Sequence, residues 1–319
     1  MRDLVTTYWN ATAGGGRVFE AIGLSLGRLS SDAVPAGTPV ELAGRGTVLA
    51  YDMPGPRGAP TLLLLHGLGA SGLLNWFPAF GPLSERFRVV AMDLRGHGRG
   101  LRAGADYRLR DCADDGIALM DALEVERCIP VGYSLGGPIA QLMWRHHPDR
   151  VDGLVLCATS RNFRGKPHEK WGFWSMWGAA MALRLADALP WPRRSPPAPI
   201  PPPEPEVLEG MRLPQWAFRE MLRCNPAAMF GAVCALGQFT SHEWVGSIDV
   251  PTAVVVTVRD QLVSPSRQRK LAEAIPGATV HEADTDHAAC VLGARCFVPT
   301  LIEACGSVAD RLPTARRVA

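Results

Sequence analysis

The chain has 319 residues, 47% of them hydrophobic and 20% charged, which is the composition of an ordinary soluble globular protein. Thirty-three basic residues against 31 acidic ones leave a net charge of +2, so a nucleic acid or other polyanion is not an expected partner. The eight cysteines form no C-x-x-C and no Cys/His group of zinc-like spacing, so no metal is expected and the thiols read as buried and reduced.

The chain begins without a secretory pattern and contains no apolar run long enough to span a bilayer, so a cytoplasmic location is expected. Residues 1–35 read as an N-terminal extension. Within it, Val18, Ile22 and Leu26 fall at helical spacing, so 17–29 reads as a short amphipathic helix. Packing on the main body is its plainest use; a weak membrane-surface or dimer contact is the other.

From residue 36 the pattern changes. "TVLAYDM" (47–53), "TLLLLHG" (61–67), "RVVAMD" (88–93), "RCIPVG" (127–132) and "VDGLVLCA" (151–158) read as strands, the later ones as continuous apolar runs. Such runs mark strands buried on both faces. Helical stretches are expected at roughly 74–86, 111–125 and 135–147. The alternation predicts an α/β domain, a mostly parallel central sheet with helices on both faces.

The alternation stops near Thr159. Residues 160–245 read as a mainly helical insertion, with Trp174, Trp177, Met181 and Leu185 at helical intervals and further helices at 214–223 and 226–238. Nine prolines between 190 and 205 require an extended, semi-rigid segment inside it. Strand and helix then resume with "TAVVVTVRD" (252–260), a helix at 265–275, "ATVHEA" (278–283) and a last helix from 288 to 305. The core therefore comprises 36–159 and 246–310.

Two stretches fit Gly-x-Ser-x-Gly. Gly23-Leu24-Ser25-Leu26-Gly27 lies in the amphipathic segment with no strand before it. Gly132-Tyr133-Ser134-Leu135-Gly136 follows a buried strand and opens a helix, the strand–turn–helix setting that holds a nucleophilic serine on a strained turn. Ser134 is the expected nucleophile. A serine hydroxyl needs a base, and the base needs an orienting acid. His287, after the last strand, is the expected base; His281 lies within a strand pattern, and His146 and His147 lie in the helix after the serine. Asp260 closes the preceding strand, 27 residues ahead of His287, and is the expected acid, with Asp93 as its rival. Asp284 and Asp286 read as turn formers. The backbone N–H groups of Leu135 and of Leu68, in "HGLG", are expected to bind an oxyanion. His66 is expected to brace that loop, and Arg95 and His97 the loop after residue 93.

With "HGLG" after a buried strand, "DLRGHGRG" after the next, "GYSLGG", Asp260 and His287 in that order, the chain resembles the serine-nucleophile branch of the α/β-hydrolase fold family, over about residues 40–305. The resemblance implies carboxylic ester cleavage, esterase- or lipase-like, through a Ser134–His287–Asp260 triad and an acyl-enzyme. It implies no cofactor, a small-molecule ester substrate, and a cap formed by the insertion. Asp286, before the histidine, stands where many relatives have glycine, and the proline-rich segment matches no family hallmark. A serine at residue 134 argues against the related chemistries that attack with aspartate. Carbon–carbon bond hydrolysis, acyl transfer to an alcohol, and a non-catalytic ligand-binding homologue stay open as alternatives. The aromatic residues of the insertion suggest a lipophilic substrate, with Trp76, Phe77, Tyr133, Trp174 and Trp177 as pocket candidates.

Overall fold

A computed structural model describes residues 35–104, 106–163 and 213–313. Ser25, the 17–29 segment, the proline-rich stretch, Trp174 and Trp177 lie outside the described residues.

The sequence folds around an eight-stranded sheet. Its strands are β1 (Gly37–Leu42), β2 (Gly46–Met53), β3 (Thr61–Leu65), β4 (Arg88–Met92), β5 (Ile129–Tyr133), β6 (Leu154–Cys157), β7 (Thr252–Thr257) and β8 (Thr279–Ala283). They lie in the order β1-β2-β4-β3-β5-β6-β7-β8. From β4 to β8 all neighbours are parallel, whereas β1–β2 and β2–β4 are antiparallel. Strand β1 escaped the sequence reading. It sits at the sheet edge, where a strand need bury only one side and can carry Pro39.

The central strands are covered twice, so their side chains alternate between two cores. Leu62, Leu64, Val131 and Val255 face one core with Trp76, Phe80, Phe297 and Leu301. Leu63, Leu65, Met92 and Val254 face the other with Ile117, Ile139, Met143 and Leu271. The helices of the first face are α1 (Gly72–Trp76), α2 (Phe80–Ser84) and α8 (Ala294–Ala309); those of the second include α3 (Leu109–Ala122), α4 (Gly136–His146) and α7 (Pro265–Ala274).

Two helix boundaries depart from expectation. The stretch 74–86 is two short helices, because Pro78 has no N–H to continue the first. The last helix begins at Ala294 rather than 288, and residues 288–292 form turns.

Two helices, α5 (Leu213–Leu222) and α6 (Pro226–Gln238), join β6 to β7 within the expected insertion. Helix α5 is tied to the core by charge. Glu220 accepts from both terminal nitrogens of Arg99, at 3.0 and 3.1 Å, and from Ser71 Oγ at 2.8 Å. Arg223 lies 3.2 Å from the same carboxylate. Trp216 of α5 meets Phe77 edge to face at 5.2 Å.

Candidate active site

The site assembles at the carboxyl ends of β3, β5, β7 and β8. Leu65, the last residue of β3, is paired with Gly132 of β5, so the loop after β3 lies beside the turn after β5. A crevice at strand carboxyl ends is where open parallel sheets place ligands.

Ser134 follows β5 directly and has a φ of 50°. That left-handed conformation turns the chain sharply from strand into helix and lifts the side chain clear of both. The turn is possible only because the residues two before and two after it, Gly132 and Gly136, lack side chains. A Cβ at Gly132 would lie 2.3 Å from Gly136 O, and one at Gly136 would lie 2.2 Å from Leu65 O. Both obstacles are backbone atoms, which cannot rotate away. Gly136→Ala is therefore expected to lower stability by about 1–3 kcal/mol and activity about 100-fold through displacement of Ser134. Gly81→Ala is the control, since a Cβ there meets nothing within 4 Å. Thermal unfolding and turnover of the two variants check the expectation; equal behaviour would contradict it.

His287 follows β8 and reaches back across the sheet. Its Nε2 accepts the Ser134 hydroxyl at 2.9 Å, and its Nδ1–H donates to Asp260 Oδ2 at 2.7 Å. Asp260 is buried, and its remaining acceptor capacity is filled. Oδ2 also accepts from Thr257 Oγ at 2.8 Å, and Oδ1 accepts the Leu262 and Val263 N–H groups at 2.9 Å each. Gln268, wholly buried on α7, adds a contact to Oδ2 at 3.3 Å. These donors favour a fixed carboxylate, which in turn fixes the imidazole tautomer with Nε2 facing the serine. The arrangement can take a proton from the hydroxyl as it attacks an electrophile.

The other candidates are occupied elsewhere. Asp93 is buried and accepts the Gly72 and Arg99 N–H groups at 2.7 and 2.8 Å. Burial pushes its pKa up to about 6, against those backbone donors. Asp284 pairs with Arg259 on the surface, and Asp286 accepts the Ala288 N–H, which is a turn-forming role. His147 pairs with Asp114, and His281 contacts Thr279.

The loop after β3 is braced by His66. Its Nδ1–H donates to Gly67 O and its Nε2 accepts the Leu94 N–H, both at 2.8 Å. Burial holds this imidazole neutral, with a pKa well below the ordinary value. Gly67 lies against the nucleophile: a Cβ there would be 3.6 Å from Ser134 Cβ. Leu68 follows it, and Leu135 stands at the amino end of α4, where N–H groups lack intrahelical partners and partial positive charge collects.

The loop after β4 is held as expected. Arg95 donates twice to Asp115 at 2.7 Å, and His97 Nδ1–H donates to Arg95 O at 3.1 Å. Burial lowers the His97 pKa from 6.5 to about 4. A histidine whose folded pKa is depressed binds fewer protons folded than unfolded, so its contribution is retained above pH 6.5 and lost as pH falls toward 4. His97→Gln is expected to gain on the wild type by roughly 3 kcal/mol over that window. Chemical denaturation at pH 7 and pH 4 measures the gap; a constant gap would contradict the neutral imidazole.

The pocket candidates divide. Trp76 is 0% exposed and packs edge to face on Tyr133 at 6.1 Å. It packs into the core beneath the site. Tyr133 donates its hydroxyl to His287 O at 2.7 Å, so it braces the histidine loop. Phe77 packs on Trp216 of the insertion. Thr257, Gln268, Asn75 and Cys290 were not singled out in the sequence; each is one polar or thiol side chain in an otherwise apolar or helical run, which carries no pattern.

A family model described as alpha/beta hydrolase fold matches residues 60–185. The sequence is 33% identical over 225 residues to "Putative carbamate hydrolase RutD" of Caulobacter sp. (strain K31), covering 69% of this chain and 80% of the relative. Among solved structures, a hydrolase from Pseudomonas aeruginosa superposes with a TM-score of 0.65 at 25% identity, over 85% of this chain and 98% of the other. The enol-lactonase from Burkholderia xenovorans LB400 superposes with a TM-score of 0.63 at 25% identity, over 84% and 100%. The chain belongs to the α/β-hydrolase fold family and is a hydrolase of that fold. No helix of the described residues is long and apolar enough to cross a membrane.

Proposed function

We propose that the protein hydrolyses carboxylic esters by acyl transfer through Ser134, His287 and Asp260. The carrying observation is the unbroken line of hydrogen bonds, 2.9 Å from the Ser134 hydroxyl to His287 and 2.7 Å from His287 to Asp260. His287 takes the hydroxyl proton as Oγ attacks the carbonyl carbon, while Asp260 holds the imidazolium that forms. The Leu68 and Leu135 N–H groups receive the negative charge on the carbonyl oxygen. As the tetrahedral adduct collapses, His287 returns its proton to the leaving alcohol. Water, deprotonated by His287, then attacks the acyl-enzyme and releases the acid.

The insertion acts as a cap in this reading. Its aromatic residues, Trp174 and Trp177 among them, supply the apolar wall of a pocket for a lipophilic substrate, and Phe77 joins them from the core. Two similar proteins bear the names of a carbamate hydrolase and an enol-lactonase. Both names denote cleavage at an acyl carbon, the chemistry this site supports, so carbamates and enol lactones are the nearest rivals to simple esters.

The test is a panel of p-nitrophenyl esters of rising chain length beside an aryl carbamate, an enol lactone and a meta-cleavage diketone. Turnover is expected to be fastest on an ester and to rise with acyl length before the pocket is filled. Preference for the carbamate or the diketone would replace the ester reading while keeping the same nucleophile.

A further inference from the structure

We propose that Asn75 and Cys290 are positioning residues that set the oxyanion loop, the nucleophile turn and the histidine loop in common register. The inference rests on the catalytic reading above. The Gly67 N–H donates to Asn75 Oδ1 at 3.1 Å. That fixes the amide orientation, and Asn75 Nδ2–H donates to Cys290 Sγ at 3.0 Å. A second bond runs alongside: Tyr133, the residue before Ser134, donates its hydroxyl to His287 O at 2.7 Å, three residues from Cys290.

Each of these bonds has one donor and one acceptor. They begin next to Leu68, include the residue before Ser134, and end on the loop that carries the base. They join the loops that leave β3, β5 and β8, alongside the Ser134–His287 bond itself. Asn75, Cys290 and Tyr133 are 6, 5 and 4% exposed, so water does not compete for these bonds. Burial also holds the Cys290 thiol protonated. Neither Asn75 nor Cys290 touches the reacting atoms.

Side chains in contact couple through packing as well as through bonds, so a double-mutant cycle is read together with Cys290→Ser, which restores the bond but not the volume of the sulfur. Asn75→Ala and Cys290→Ala are each expected to lower kcat about 10- to 100-fold with KM changed less than about threefold. The double variant should be no slower than the slower single one. Cys290→Ser, which keeps a donor and an acceptor at that place, should recover most of the loss. Singles within twofold of wild type, or losses that multiply in the double variant, overturn the proposal.

A substrate-independent readout keeps this test apart from the catalytic reading. In 1H–15N spectra, Asn75→Ala should shift the His287 backbone and ring signals, and Cys290→Ser should shift them less. If wild-type Ser134 reacts with no acyl or phosphonyl probe, the catalytic reading fails, and unmoved His287 signals then overturn the network as well.

Discussion

Replacement of Ser134 by alanine is expected to lower kcat by on the order of 10⁶-fold, the scale of loss when a triad nucleophile is removed. The fold should survive it. The structural bonds of this residue come from its backbone, whose N–H donates to Cys157 O at 2.9 Å and whose carbonyl accepts from Thr159 Oγ at 2.9 Å and the Gly137 N–H at 3.0 Å. Alanine keeps all three and inherits the same φ of 50°. Only the hydroxyl facing His287 is lost. An unchanged melting temperature with turnover gone is therefore the expected pair of results, and turnover at a tenth of wild type would assign the chemistry elsewhere. Asp260→Asn should follow with a smaller loss, about 10⁴-fold, because an amide can impose the wrong imidazole tautomer while the nucleophile stays in place.

The largest effect on stability is expected at Glu220. Its side chain is 1% exposed and that of Arg99 is 3% exposed, so the pair has left water almost entirely. Such a pair adds little over a well-packed apolar substitute, yet removal of Glu220 takes away the buried carboxylate that accepts from Arg99 at 3.0 and 3.1 Å and lies 3.2 Å from Arg223. Glu220→Ala should cost about 3–5 kcal/mol, a fall in melting temperature on the order of 10 °C for a domain of this size. Glu220 also holds Ser71, whose Oγ caps α1 by accepting the Leu74 N–H at 3.1 Å. The loss therefore reaches the loop between His66 and α1, and activity should fall along with stability. Glu220→Gln retains an acceptor and should lie between the two. Calorimetry of the three proteins decides it; a cost below about 1 kcal/mol would mean that water reaches Arg99.

How much of this was legible in the sequence follows from where information is stored in a chain. Buried parallel strands advertise themselves as apolar runs, so β3 to β7 were readable. The elbow was readable because Gly132, Ser134 and Gly136 obey a steric rule that few other contexts impose. Asp260 and His287 were readable by their places after two strands. Strand β1 was not, since an edge strand needs neither an apolar run nor a free N–H at every residue, and Pro39 argues against it locally. Residues 288–292, "AACVL", are apolar enough to pass for helix, but the chain is needed there as turns that carry His287 inward. The bracing side chains were invisible for another reason. Asn75 sits within "LLNWF" and Cys290 within "HAACVL", and their partners at Gly67, Tyr133 and His287 are distant in sequence. The packing of Trp76 on Phe297 is likewise a tertiary fact that its place in the sequence does not carry.

The central claim is that one hydroxyl, made nucleophilic by the imidazole beside it, does the chemistry. Treatment with a fluorophosphonate followed by peptide mapping by mass spectrometry measures this directly. The account predicts a single phosphonyl adduct on the peptide carrying Ser134, absent from Ser134→Ala and strongly slowed in a His287→Ala variant. An adduct on Ser25, or labelling that persists after either substitution, would contradict it.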